Sequence, residues 1–295
     1  MEYSAKRGIC MFAYNNDQLD YGHFSLLAAK QAKKYLNYPV CLVCDDGTWA
    51  WLNESHDKAL VDELIDEVVI TKDKPAPNRR THYDSPYASF TAQFTNNNKH
   101  KIWEYSPYEQ TLLLDIDYMV RTDFLDAFWD NPGVSMFDNS IDLSNRLLHP
   151  RERVLYDAGV PMWWSTVIMF DRSEISQIFF DTWAHIAKEY SFYQYIYNFP
   201  GKLFRTDYCV SIAVHIMNGM VRGDVINNFG GIPLVNMLQQ DELVEVRDTD
   251  WIFLSNDRRE EWKNILTKIK DCDIHCMNKR SLQRSTDKIL GVTSE

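Results

Sequence analysis

Apolar runs and helical-period stretches alternate through the N-terminal quarter of the chain. Ile9 to Tyr14, bounded by Gly8 and Asn15-Asn16-Asp17, reads as a first strand. From about Asp20 to Leu36, the residues Phe24, Leu27, Ala28, Ala32 and Tyr35 recur at the spacing of one helix face. Val40 to Cys44 reads as a second strand ending at Asp45-Asp46-Gly47, and a helix around His56 to Leu64 leads to a third strand, Val68 to Ile70. Strand, helix, strand, helix, strand predicts a parallel sheet covered by helices, an α/β fold.

The pattern breaks between Lys74 and Lys101, where Pro75, Pro77, Arg79-Arg80 and Asn96-Asn97-Asn98 interrupt it and Tyr87 to Phe94 reads as a short helix. Thr111 to Leu114 is a fourth apolar strand that runs into Asp115-Ile116-Asp117. Val134 to Phe137 and Ser165 to Phe170 are further strands. A helix from Ser173 to Tyr190 is expected to turn Ile175, Ile178, Phe179, Trp183 and Ile186 inward, and another helix begins near Asp207. Asp257 to Lys270 has the apolar spacing of an amphipathic helix through Trp262, Ile265, Leu266 and Ile269, ahead of a last strand, Asp273 to Cys276. With no internal repeat and no linker-like stretch, one domain over residues 1–295 is expected.

Composition narrows the function classes. The chain is 45% hydrophobic and 14% aromatic, which excludes a disordered segment. With 31 Lys and Arg against 42 Asp and Glu, the formal charge of −11 is not that of a nonspecific nucleic-acid binder, although a local basic groove is compatible with it. The opening residues lack a signal-peptide core, and no apolar run is long enough to span a bilayer, so no membrane partner is expected. Six Cys in 295 residues are no disulfide framework, which points to a cytoplasmic location. Cys41 and Cys44 form a C-x-x-C, but on a strand residues three apart face opposite sides, so the pair is expected to be core rather than a metal clip.

The chemistry concentrates at two places. Asp115 and Asp117 sit at the C-terminal end of an apolar strand, where open α/β sheets bind ligands, and in extended backbone they project to one side with Ile116 turned inward. Two carboxylates there suit a divalent ion that neutralises a diphosphate. The spacing alone is common: Asp248-Thr249-Asp250 and Asp271-Cys272-Asp273 share it, and a strand-end pair also caps helices. The preceding apolar strand sets Asp115 and Asp117 apart. The second place is Asp273-Ile274-His275-Cys276-Met277-Asn278-Lys279, which offers an imidazole as a third ligand and an ammonium for a phosphate oxygen.

Together, Leu114-Asp115-Ile116-Asp117-Tyr118-Met119-Val120 and the His275…Lys279 segment resemble the Asp-x-Asp and C-terminal His/Lys elements of GT-A glycosyltransferases, nearest the glycogenin-like family 8. The resemblance implies a GT-A, Rossmann-like nucleotide-diphospho-sugar transferase fold with a mainly parallel sheet. It implies metal ligands Asp115, Asp117 and His275. The donor contacts it implies are Ala13 and Tyr14 near the base, Asp45 near the nucleoside, Lys101 (with Lys99 the alternative), Asn278, and Lys279 on the diphosphate. Ser165 to Phe170 is similar to the family strand beside the donor sugar, with Trp164 in place of Asn and Thr166 in place of Gly. Asp207 matches the acidic residue near the transferred sugar, followed by Tyr208 where Gln is usual. As a sugar neighbour, Asp207 either stabilises positive charge, positions the sugar or attacks it. The expected ion is Mn²⁺, with Mg²⁺ second, the expected donor a UDP-sugar, and the expected outcome retention.

The acceptor is open. Phe12-Ala13-Tyr14-Asn15-Asn16 is more loosely similar to glycosyltransferases of tailed bacteriophages, which makes hydroxymethylated cytosine in DNA one candidate. Arg79-Arg80 and Lys99-His100-Lys101 flank Tyr83, Tyr87, Phe90 and Phe94, as a loop closing on donor or acceptor does, or as a solvated loop with packed aromatics does. Trp163-Trp164 is either a sugar platform or a core-and-rim pair. Two alternatives stand beside the transferase. In a haloacid-dehalogenase-type phosphatase, Asp115 would be the nucleophile, but Met119 stands where that motif has Thr or Val, and a long α/β stretch precedes it. A catalytically inactive sugar-nucleotide-binding protein is the other.

Overall fold

A computed structural model describes residues 3–72, 78–95, 97–144, 154–155, 158–199, 201, 203–256 and 264–291. The chain opens on β1 (Ala5–Ala13), α1 (Tyr21–Tyr35), β2 (Val40–Cys44), α2 (Asp46–Ser55), α3 (Lys58–Leu64) and β3 (Glu67–Ile70). Strands β4 (Asn78–Tyr83) and β5 (Ser89–Phe94) form a hairpin. A 3-10 turn over Lys99–Lys101 and one helical turn, α4 (Ile102–Tyr105), then lead to β6 (Tyr108–Leu114). Next come β7 (Tyr118–Met119), β8 (Val134–Phe137), β9 (Ser140–Asp142), β10 (Val154–Leu155), β11 (Val160–Pro161) and β12 (Trp164–Phe170). Helices α5 (Glu174–Lys188), α6 (Tyr190–Ile196) and α7 (Thr206–Met217) precede β13 (Asn227–Asn228), β14 (Leu234–Met237), β15 (Glu242–Val246), β16 (Asp250–Ser255), β17 (Ile265–Lys270) and β18 (Ile274–Cys276). Helices α8 (Lys279–Arg284) and α9 (Thr286–Leu290) follow.

The central sheet has seven strands in the order β13-β8-β12-β6-β1-β2-β3. All of its pairings are parallel except those of β12, which runs antiparallel to both β6 and β8. The fold is therefore mixed α/β with a mainly parallel sheet, as the element order implied. Because side chains alternate along a strand, the central strands feed two apolar layers. Ile9, Met11, Leu42, Cys44, Leu112 and Leu114 pack with Phe24 and Leu27 of α1. Cys10, Cys41, Val43 and Leu113 pack with Phe179 and Trp183 of α5 and Ile212 of α7. Cys41 and Cys44 thus lie in opposite layers, both buried and both free thiols.

A second sheet, β7-β18-β14-β9, gathers distant segments, with β18 antiparallel to β7 and parallel to β14. Among the described residues no helix is long and apolar enough to cross a membrane.

Four local expectations are corrected. The helix expected over Tyr87 to Phe94 is β5, where Ser89, Thr91 and Gln93 are exposed while Phe90, Ala92 and Phe94 are at least partly covered. This is a period of two stabilised by pairing with β4. The helix expected over Asp257 to Lys270 is strand β17 from Ile265 onward, and residues 257–263 lie outside the described residues. Pairing along the whole of β16 overrides the helical spacing there, with Lys268 reaching Asp250 at 2.6 Å, and Ile269 packs on the core while Ile265 and Leu266 stay exposed. In α5 the buried face is Ser176, Phe179, Phe180, Trp183 and Ile186, and Ile175 and Ile178 point to solvent. Finally, the helix expected around His56 to Leu64 is α3, Lys58–Leu64, and a further helix, α2, comes directly after β2. Asp45 accepts from Thr48 N at 2.7 Å and caps α2, an N-terminal signal that Asp followed by Gly and Thr disguises as a turn.

Candidate active site

β1 is flanked by β2 on one side and by β6 on the other, so the strand order reverses between β1 and β6. A sheet opens a crevice at the carboxyl ends of two such strands. Tyr14 follows β1 there and Asp115 follows β6, and both line a cavity of about 430 Å³.

Asp115, Ile116 and Asp117 form a turn rather than a continued strand. Asp115 N donates to Thr166 O on β12 (2.9 Å), and Tyr118 N donates back to Asp115 O (2.9 Å). Ile116 is buried and both carboxylates border the cavity. His275 comes to the same point because β18 pairs with β7, setting His275 opposite Tyr118, while Cys276 N donates to Asp117 O at 2.7 Å. His275 Nε2 lies 3.2 Å from Asp117 Oδ2, and Lys279 Nζ is hydrogen-bonded to the same oxygen. Ligand atoms of Asp115, Asp117 and His275 all fall within 4.8 Å of one another.

The electrostatics distinguish the two carboxylates. Burial opposes ionisation of Asp117, but Lys279 and His275 outweigh it and hold the group well below the usual carboxylate range. Asp115 is pushed up by burial, with Asp117 adding to the effect, while Lys99 works against it. Lys99 Nζ bonds Asp115 Oδ1 at 2.6 Å and also reaches Ser165 O. The paired acids are thus balanced by two ammonium groups standing where a divalent cation would be attractive.

Asn236 was not singled out in the sequence. It lies on β14, nearly fully buried and opposite His275 in register, with its Oδ1 2.8 Å from His275 Nδ1. A carboxamide oxygen only accepts, so Nδ1 carries the proton and Nε2 faces Asp117. The legible signal was a polar residue inside the apolar run Leu234-Val235-Asn236-Met237. Asn236→Ala is expected to weaken Mn²⁺ binding by about 10–100-fold without loss of fold, measured by metal titration and melting temperature. Unchanged ion affinity would remove Asn236 from the site.

Asp207 lies at the start of α7 and borders the cavity. Its Oδ1 accepts from Ser165 N (3.0 Å) and Ser165 Oγ (2.8 Å), and its Oδ2 is 3.5 Å from Arg205. Burial raises its carboxyl, but Arg205 and the Ser165 bonds outweigh burial and keep it ionised.

The hairpin β4–β5 supplies two further groups that the sequence left as a basic loop. Alternation sends Arg80 and His82 to the cavity while Arg79 is exposed. Burial, then Lys279 and Arg80, pushes the His82 imidazole down to about 4, so it is neutral at pH 7. Its buried Nε2 has no hydrogen-bond partner among the described residues.

The remaining expected positions divide. Tyr14 borders the cavity, its hydroxyl accepting from Asn98 Nδ2 at 2.7 Å. Ala13 is buried beneath it in the core, and Asp45 caps α2. Lys99, and not Lys101, reaches the cavity, because the 3-10 turn points the two side chains apart. Asn278 is fully buried outside the cavity lining, donating to Asp84 O (2.9 Å) and Asp241 O (2.8 Å) and capping α8. Trp163 is core and Trp164 is rim.

No protein-family model matches the chain, and no curated protein matches it. Solved structures similar to it include the galactosyltransferase LgtC in complex with donor and acceptor sugar analogs. That match has 14% identity, covers 98% of this chain and 97% of the other, and has a TM-score of 0.48. Mouse xyloside xylosyltransferase 1 in its apo form matches at 15% identity over 76% of this chain and 84% of its own, with a TM-score of 0.42. The glycosyltransferase GlyE of Streptococcus pneumoniae TIGR4 matches at 11% identity over 76% of this chain, with a TM-score of 0.42, and the chain spans 45% of that protein. Likenesses this remote carry no argument about chemistry, which rests on the cavity itself.

Proposed function

We propose that residues 1–295 form one catalytic domain of the GT-A type, a metal-dependent glycosyltransferase that takes a sugar from a nucleoside-diphosphate donor. The observation that carries this reading is the meeting of Asp115, Asp117, His275 and Lys279 at one cavity beside the reversal in strand order. Two carboxylates and one imidazole fit Mn²⁺, and Mg²⁺ less well, since imidazole suits transition ions. When bound, such an ion supplies Lewis-acid neutralisation of a diphosphate leaving group.

The chain's own residues do the rest. Lys279, Lys99 and Arg80 bring positive charge to the wall that would face phosphate oxygens. Phe12, Tyr14 and Tyr21 offer aromatic faces suited to a base. Asp207 is an anion pre-oriented by Ser165 on the same cavity, suited to the positive charge that develops on a sugar as its anomeric C–O bond breaks. The family resemblance favours a UDP-sugar and retention. No observation favours a phosphatase: β1, β2 and β3 all precede β6, whereas the dehalogenase motif opens its domain.

The reading is tested by thermal shift with nucleoside diphosphates and nucleotide sugars, with and without Mn²⁺. A uridine nucleotide plus Mn²⁺ is expected to raise the melting temperature more than either alone, since ligands of the native state stabilise it. No shift with any nucleotide and ion would defeat it, and binding without sugar release or transfer would identify an inactive binding protein.

The acceptor is read from transfer of labelled sugar. Arg80 and Arg205 border the cavity, and Arg79 is exposed on the same strand as Arg80. If these residues hold hydroxymethylated DNA, transfer weakens with salt, log affinity falling by about 0.9 per contacted phosphate per decade. No transfer to DNA, with donor hydrolysis in the same tubes, would leave a glycan or small-molecule hydroxyl as acceptor.

A further inference from the structure

A second group of metal-ligating side chains lies outside the cavity lining. Asp20, His23 and His56 each offer a ligand atom, and these atoms all lie within 4.8 Å of one another. Two elements bring them together, α1 with Asp20 and His23 and α2 with His56. Asp20 caps α1, its Oδ1 accepting from His23 N (2.9 Å) and its Oδ2 from Trp51 Nε1 (2.9 Å) on α2. His56 is the residue that ends α2. The two imidazoles are tilted by 57° with centroids 4.7 Å apart, and the buried Nε2 of His56 has no hydrogen-bond partner among the described residues. Asp287, in the first turn of α9, brings a carboxylate oxygen to 3.7 Å from His23 Nε2.

Hydrogen bonding within the cluster accounts for Asp20 but leaves His56 Nε2 without a proton acceptor or donor. Two imidazoles flanked by two carboxylates form a mixed nitrogen–oxygen set that suits Zn²⁺. A four-coordinate ion with bonds of about 2.0–2.1 Å needs its ligand atoms about 3.4 Å apart, a contraction that side-chain rotation supplies.

We propose that Asp20, His23 and His56 form a site for a divalent ion of the Zn²⁺ class, separate from the Asp115 cluster, with Asp287 at its edge beside His23. An ion there pins the start of α1 to the end of α2, beside α9. The loop before α1 carries Tyr14, and the helix before α9 begins with Lys279, so the site braces two walls of the cavity from behind.

The test is equilibrium dialysis of the full chain against Zn²⁺, with Co²⁺ as a spectroscopic substitute. An Asp115→Asn/Asp117→Asn variant, which disables the first cluster, is expected to retain one equivalent of Zn²⁺. In Co²⁺ it is expected to show the visible bands of a four-coordinate ion. Adding His56→Gln, or separately His23→Gln, is expected to lower that affinity at least tenfold and abolish the bands. If the double variant does not fold, His23→Gln alone is expected to remove one of two equivalents from the otherwise native chain. Absence of Zn²⁺ from the folded double variant, or retention undiminished by both histidine substitutions, would overturn the proposal. Neither result bears on donor binding at the cavity.

Discussion

Asp117→Ala is expected to abolish Mn²⁺-dependent donor binding, with a loss of more than about 100-fold in ion affinity, because the change removes a ligand and not merely its support. Asp117 is the hub of the cavity's charge: one oxygen meets both His275 and Lys279. Removing it leaves Lys279 and His275 without their shared carboxylate, and only Asp115 and His275 to hold an ion. The backbone pairing of Asp117 O with Cys276 N does not need the side chain, so the fold is expected to survive. Asp117→Asn keeps the volume and serves as control for packing. The measurements are Mn²⁺ titration, nucleotide-dependent thermal shift and turnover. Full activity of Asp117→Ala in the presence of chelator would end the metal-dependent reading.

The second large effect is expected at Asp207. Asp207→Asn keeps shape and one acceptor oxygen for Ser165 but deletes the charge. If Asp207 faces charge that develops only as the sugar leaves, kcat falls by about 10²–10³-fold while nucleotide affinity holds. Single-turnover rates and nucleotide Kd separate these outcomes. A weaker Kd with unchanged kcat would instead make Asp207 a ground-state contact.

How far such a site is legible in sequence depends on whether its parts are local. Asp115 and Asp117 stand out because four apolar residues lead into them, and the ligand-binding end of a strand is a local property. The parallel start of the chain was equally local, carried by the apolar runs of β1, β2 and β3. Asn236, marked only as a polar residue in an apolar run, and His82 could not be placed in the site for the opposite reason. Asn236 matters through the register of β14 on β18, and His82 through the alternation of a hairpin whose partner strand had been assigned to a helix. Choosing between Lys99 and Lys101 needed the phase of a 3-10 turn, which two residues of spacing do not reveal. Asp45 and Asn278 show a different limit, because at a helix start a capping role and a ligand role draw on the same residue types. β17 shows how an exposed strand with Ile265, Leu266 and Ile269 mimics an amphipathic helix until its partner is known.

The insertion of β18 between β7 and β14 has a consequence during synthesis. His275 is 158 residues behind Asp117 in the chain, and Lys279 is 162 behind. At about 5–20 residues per second, roughly 8–30 s pass between the emergence of the acidic pair and that of these partners. Over that interval β1, β2, β3 and β6 are already available to pair, and Lys99 is at hand for Asp115. Asp117 has to wait in water with neither of the basic side chains that later enclose it. The nascent chain therefore carries an open acidic turn, accessible to free divalent ions, before the last strand closes over it.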